Sequence, residues 1–89
     1  MPERTATIAS RVGLHARPAS IFIAAVGKES VPVTISKDGS TPLSAGSILS
    51  IMSLGAKHGD VVTLAAEGEG AEQALENLVQ VLETDLDAE

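Results

Sequence analysis

The chain has 89 residues, of which 44% are hydrophobic and 20% are charged, and this balance indicates a globular domain rather than a disordered segment. It contains no cysteine, which excludes disulfide bonds, a thiolate nucleophile and a cysteine-ligated metal. Twelve Asp and Glu residues outnumber six Lys and Arg residues, for a net charge of −6, and no run of basic residues could form a nucleic-acid-binding patch.

Membrane insertion and export are not expected either. No apolar stretch approaches the roughly 20 residues of a transmembrane helix, and the first residues lack the apolar region of a signal peptide. We therefore expect a single cytoplasmic domain over residues 1–89.

The first two predicted elements are a strand and a helix. Residues 4–9 alternate threonine with alanine and isoleucine, which predicts a strand. Residues 16–26 have apolar side chains at helical spacing, Pro18 suits a first helical turn, and Gly27 stands where a C-terminal cap belongs.

A hairpin is predicted next. Residues 31–36 alternate again, and the dipeptide Asp38-Gly39 is typical of a tight turn, so we expect a return strand over residues 41–43. Pro32 and Pro42 should then lie at strand ends, because proline cannot donate to a ladder.

The last three elements are a short helix, a strand and a long helix. Ser47 is a suitable N-cap and Gly55 a suitable end for the short helix, whose apolar residues cover too much of its circumference for all of them to be buried. Residues 61–67 predict a strand, and residues 71–86 show the clearest helical spacing in the chain. Four strands with one hairpin favour an α+β fold of order βαββαβα, with helices on one face of an antiparallel sheet.

Candidate chemistry lies at the start of the first helix, in the string Gly-Leu-His-Ala-Arg-Pro from Gly13 to Pro18. Unpaired amides and the helix dipole favour an anion there, and the same positive end favours a neutral, nucleophilic ring nitrogen on His15. Arg17 could present its guanidinium to that anion. These features suit a histidine that becomes phosphorylated, whereas the ordinary alternative is a surface histidine beside a surface arginine.

The string, together with Ser47-Ile48 and Met-Ser-Leu-Gly at residues 52–55, resembles the HPr family, the histidine-containing phosphocarriers of the bacterial sugar phosphotransferase system. The resemblance covers nearly the whole chain, including Val-Val-Thr-Leu at residues 61–64. It implies an open-faced β-sandwich, in which a four-stranded antiparallel sheet carries three helices on one face.

The resemblance also implies a mechanism. His15 would accept phosphate on Nδ1 from enzyme I, which is phosphorylated by phosphoenolpyruvate, and would pass it to enzyme IIA domains. Arg17 and the amides of Ala16 and Arg17 would stabilise the phosphate. The chain would be a carrier without turnover of its own, and no cofactor is expected.

Ser47 has two interpretations. In some relatives the matching serine is phosphorylated by an ATP-dependent regulatory kinase, which adds charge at an N-cap. Serine is also simply a preferred N-cap, and Gly46 stands where the family often has lysine.

Apolar residues near Ser47 predict a docking patch for partner proteins. We expect Leu14, Ile48 and Met52 to contribute to it, and we interpret Leu49 and Ile51 as core residues. Stretches that are often basic in the family are uncharged here, so partner affinity should rest on apolar contact.

Two other classes of function remain open. One is an HPr-like regulatory domain that docks to metabolic or transcriptional regulators, and the other is a small-molecule-sensing α/β module. We interpret His58 as a solvated turn residue, and nothing in the spacing of the two histidines suggests a metal site.

Overall fold

The computed structural model describes residues 2–11, 13–14, 16–37, 39 and 41–84, and of Ala16 it describes the backbone alone. It shows the predicted α+β fold, with three helices and one four-stranded antiparallel sheet. The elements are β1 (Glu3–Thr7), α1 (Ala16–Gly27), β2 (Val33–Lys37), β3 (Leu43–Ser44), α2 (Ile48–Leu54), β4 (Val61–Ala66) and α3 (Ala71–Leu82).

The sheet has the order β1-β4-β2-β3, so the last strand in the chain lies between the first two. Its register aligns Ala6 with Val62 in the row that faces the helices, and Thr5 with Thr63 in the row that faces away. Because successive side chains of a strand point to opposite faces, the sheet has one apolar face and one face rich in threonine and serine. This alternation explains why helices cover only one side.

The core lies between the apolar sheet face and the helices. Phe22, the only aromatic residue of the chain, is fully buried at its centre. The largest aliphatic side chains buried with it are Ile8, Leu14, Ile35, Ile51, Leu64, Leu75, Leu78 and Leu82. Within the described part of the chain, none of the helices combines the length and the hydropathy needed to cross a lipid bilayer.

The predicted hairpin between β2 and β3 is confirmed. Ile35 pairs with Leu43, a register that centres the connection on Gly39, whose φ is 74°. Asp38, the other residue of the predicted turn, lies outside the described residues. The return strand begins at Leu43 rather than at residue 41, because Pro42 has no N–H to contribute to a ladder.

The caps of α2 agree with the prediction, whereas the end of α1 differs. The Ser47 hydroxyl accepts the Ser50 N–H at 3.4 Å, and Gly55 closes the helix with a φ of 65°. Gly27, predicted as the cap that follows α1, is the last residue of that helix. The chain leaves that helix through a tighter turn, in which the Lys28 N–H donates to the Ala25 carbonyl at 3.1 Å.

The third helix ends at Leu82, four residues before the predicted end at Leu86, which lies outside the described residues. The Leu82 carbonyl accepts the Ala9 N–H at 3.0 Å. The chain beyond β1 therefore contacts the end of α3, and the local sequence pattern does not reveal this contact.

Replacement of Leu75 by alanine tests whether the inner face of α3 is tightly packed. Leu75 is fully buried, so Leu75→Ala should lower the free energy of unfolding by about 2–5 kcal/mol. The adjacent Glu76 is exposed, and Glu76→Ala should change the free energy of unfolding by less than about 0.5 kcal/mol. Urea unfolding of the two variants measures the difference, and equal values would contradict the described packing of α3.

Candidate functional site

Ala16, Arg17 and Pro18 of the His-Ala-Arg-Pro string form the beginning of α1. The helix starts at Ala16, its third residue Pro18 is buried, and Arg17 is exposed to solvent. Pro18 has no N–H, so Ala16 and Arg17 supply the first backbone donors of the helix, which have no acceptor within it. The first turn contains no acidic residue, and the helix dipole adds positive potential there. His15 lies outside the described residues, so its predicted role stays a prediction.

Gly13 brings the segment before α1 close to a second loop, residues 55–60. Its φ is +72°, and a Cβ atom there would collide with the Ala56 carbonyl oxygen and lie 2.8 Å from the Lys57 Cα. The next residue, Leu14, donates its N–H to the same Ala56 oxygen at 3.0 Å. Only glycine fits this position without strain.

Further hydrogen bonds join the same two segments. The Ile8 N–H donates to the Asp60 carbonyl at 2.9 Å, and the Gly59 N–H donates to the Ile8 carbonyl at 2.9 Å. His58 lies in a turn and is exposed, as predicted, but its Nδ1 also lies 3.3 Å from the carbonyl oxygen of the buried Ser10. The segment leading to the candidate histidine is thus attached to the loop 55–60 at several points.

Lys37 and Asp60 organise the loop 55–60 through their side chains. The sequence analysis did not select either residue. The Asp60 carboxylate accepts the Lys57 N–H at 2.9 Å and the Lys37 ammonium at 3.3 Å, and the Lys37 ammonium also donates to the Gly55 carbonyl at 3.2 Å. An Asp side chain that accepts a backbone N–H three residues earlier is a recurrent local contact, so the contact of Asp60 with Lys57 is local in the sequence. The approach of Lys37 from β2 depends on tertiary structure.

These donors act on the ionisation of Asp60. The hydrogen bond from the Lys57 backbone, followed by that from Lys37, holds the pKa of the Asp60 carboxyl below its ordinary value. A carboxyl whose pKa is lowered in the folded state stabilises the fold above its ordinary pKa. That contribution disappears as the pH falls through the lowered pKa.

Ile48, Leu49 and Met52 form an exposed apolar face on the outer side of α2, named the docking face after the role proposed for it below. These residues are 45%, 76% and 36% exposed. The exposure of Ile48 and Met52 agrees with the prediction, whereas the interpretation of Leu49 as a core residue is wrong. Ile51 is completely buried, as expected, because it lies on the opposite side of the helix.

The prediction that Leu14 is part of a docking patch is wrong. Leu14 is 1% exposed and belongs to the hydrophobic core. Its backbone is held against Ala56, and its side chain packs inward, which leaves no surface for a partner to contact.

Ser47 has the structural role expected of an N-cap. Its side chain is partly buried and accepts the Ser50 N–H. In the residues that the structure describes, no three His, Asp or Glu side chains come together to form a metal site.

Comparisons with known proteins agree with this geometry. Residues 2–84 match the family model described as "PTS HPr component phosphorylation site". The chain is 46% identical to phosphocarrier protein HPr of Streptomyces coelicolor over 82 residues, which cover 92% of this chain and 88% of that protein. It is 34% identical to the HPr-like protein Crh of Bacillus subtilis, with 97% of this chain and all of that protein covered.

A solved structure of HPr from Thermoanaerobacter tengcongensis has the same fold, with a TM-score of 0.90, 42% sequence identity and coverage of 100% of this chain and 99% of the other. The chain therefore belongs to the HPr family, the phosphocarriers of the phosphotransferase system. The open-faced arrangement of four strands and three helices expected from the resemblance is confirmed.

The close approach at Gly13 can be tested against a second glycine of similar conformation. Gly39 has a φ of 74°, but no neighbouring atom lies within 4 Å of the position that an added Cβ would take. Gly39→Ala should therefore cost only the strain of a left-handed alanine, about 1–2 kcal/mol. Gly13→Ala adds a collision with Ala56 and should lower the free energy of unfolding further. Urea unfolding compares the two variants, and an equal loss would contradict the described contact.

Proposed function

We propose that this chain carries a phosphoryl group on His15 between enzyme I and enzyme IIA domains, in the cytoplasm and as a single domain. The observation that carries the proposal is the position of the His-Ala-Arg-Pro string. Ala16, Arg17 and Pro18 begin α1, and Leu14, directly before the string, donates its N–H to Ala56 in the loop that follows α2. Membership of the HPr family supports the same role.

The proposed chemistry is the reversible transfer of a phosphoryl group between enzyme I and a ring nitrogen of His15. The Nδ1 lone pair of His15 attacks phosphorus, a nitrogen–phosphorus bond forms, and the bond from phosphorus to enzyme I breaks. The negative oxygens of the bound phosphoryl group then lie at the positive end of α1. The Ala16 and Arg17 amides and the Arg17 guanidinium stabilise them with charge-assisted hydrogen bonds, and the group leaves when an enzyme IIA nucleophile attacks in turn.

The apolar docking face suits a partner that must be bound and released repeatedly. Exposed aliphatic and thioether side chains provide contact area without the geometric demands of salt bridges, and the sequence of α2 contains no charged residue. We therefore propose that Ile48, Leu49 and Met52 contact both enzyme I and enzyme IIA. Steering by charge is left chiefly to Arg17.

Ser47 is a second proposed phosphorylation site, modified by an ATP-dependent serine kinase. A phosphate there would lie at the N-terminus of α2, where negative charge is favourable. It would also place that charge beside Ile48, which would hinder docking of the partner at the apolar face.

A second candidate function is regulation by docking alone, without phosphoryl transfer. The similarity to Crh of Bacillus subtilis favours it. A purely regulatory protein has no chemical need for His15, Arg17 and Pro18 together, so we propose phosphoryl transfer as the primary activity, with docking to regulators as an additional one.

Incubation with enzyme I and phosphoenolpyruvate tests the carrier role. The wild-type chain should gain one acid-labile phosphoryl group by mass spectrometry, because phosphohistidine hydrolyses in acid. His15→Ala should gain none, whereas His58→Ala, which changes the other histidine of the chain, should still be fully phosphorylated. An adduct that persists in His15→Ala would refute the assignment.

The role of the docking face is tested at Leu49, its most exposed residue. Leu49→Ala should raise KM for this chain in phosphorylation by enzyme I, with kcat/KM falling about fivefold or more, because contact area is lost. Val61→Ala removes a similarly exposed side chain, 51% accessible, from β4 and should leave both constants unchanged. Equal effects of the two substitutions would count against the assigned face.

A further inference from the structure

We propose that Asp60, acting with Lys37, is a positioning residue for phosphoryl transfer, which holds the backbone segment before His15 in its reactive position. The inference rests on the proposed function of His15. It adds two residues, on β2 and just before β4, that lie outside the His-Ala-Arg-Pro string and outside the docking face.

The first step of the argument is that Ala56 positions the segment leading to His15. The Leu14 N–H donates to the Ala56 carbonyl, and the missing side chain of Gly13 lets the two backbones meet. Ala56 is fully buried, so it has little freedom to move by itself. A displacement of its carbonyl would move Leu14 and, through the next peptide bond, the candidate nucleophile.

The second step is that the Lys37–Asp60 pair holds Ala56 from both sides. Lys37 donates to the carbonyl of Gly55, directly before Ala56. Asp60 accepts the N–H of Lys57, directly after it. The two side chains bind each other at 3.3 Å, so a single ion pair clamps the peptide units on either side of Ala56.

The third step is that this ion pair is sheltered. The side chains of Lys37 and Asp60 are 24% and 35% exposed, whereas those of the surface pair Arg4 and Glu72 are 41% and 74% exposed. Solvent and salt screen exposed pairs most strongly. Lys37 also ends a strand paired along its length with β4, so the clamp is anchored to the sheet.

The Lys37 hydrogen bond has a second consequence, because the Gly55 carbonyl belongs to the C-cap of α2. A cation at this position also interacts favourably with the helix dipole. The same ammonium group therefore fixes the end of the helix that carries the docking face and the loop that supports the segment before His15. A partner bound to the docking face then meets a nucleophile at a defined distance.

Two substitutions at Asp60 separate the contacts of the clamp. Asp60→Asn keeps an oxygen for the Lys57 N–H but loses the ionic attraction to Lys37, and Asp60→Ala loses both. Glu72→Gln is the matched control, since it neutralises a carboxylate in the pair with Arg4, which involves α3 and β1 and not the loop 55–60.

The measurement is steady-state phosphorylation of the full chain by enzyme I and phosphoenolpyruvate. We expect kcat to fall about tenfold in Asp60→Ala, because small misplacements of a nucleophile are costly, and to fall less in Asp60→Asn. KM should change less than about twofold, because the docking face is retained. Glu72→Gln should match the wild type. Wild-type kcat in both Asp60 variants, shown by circular dichroism to be folded, would overturn the proposal.

Nuclear magnetic resonance provides a readout that does not need enzyme I. The amide resonances of Gly13 and Leu14 and the imidazole titration of His15 should shift in Asp60→Asn and stay unchanged in Glu72→Gln. Unshifted resonances in Asp60→Asn would overturn the positioning role, including in the case that Asp60→Ala fails to fold. If the wild type accepts no phosphate, the proposed function fails, and these resonances still decide whether Asp60 positions the segment.

Discussion

The contact on which the candidate site depends is the close approach of two backbones, where the Leu14 N–H meets the Ala56 carbonyl beside a glycine that has no room for a side chain. It joins the segment before α1 to the loop after α2. The start of one helix and the end of another thereby become neighbours. The helix terminus proposed to stabilise the phosphate and the face proposed to dock a partner can then serve one partner at the same time.

The sheet makes this approach possible. Antiparallel pairing of β1 with β4 sets Thr7 opposite Val61, so the chain leaving β1 and the loop entering β4 must lie side by side. The Ile8 and Asp60 backbones continue the ladder of hydrogen bonds beyond the strands. The third helix contributes mainly to the core and to the end of β1, where its last carbonyl is bound by the Ala9 amide.

The short helix α2 combines burial with exposure. Ile51 and Leu54 are buried, whereas Leu49 is the most exposed large apolar residue described. Its seven residues are capped at both ends by Ser47 and Gly55, so the helix does not depend on a continuous buried stripe. The outer face therefore stays exposed, as the docking role proposed for it requires.

The sequence by itself determined the order of elements, the caps of α2 and the His-Ala-Arg-Pro string at a helix start, because periodicity, capping and proline geometry act over a few residues. Tertiary structure decided the burial of Leu14, the contact of Ala9 with the end of α3 and the pairing of Lys37 with Asp60. The last of these depends on β4 pairing with β2, which brings together residues that are far apart along the chain. Local sequence patterns contain no information about such long-range contacts, because these contacts form only when the strands pair in the sheet.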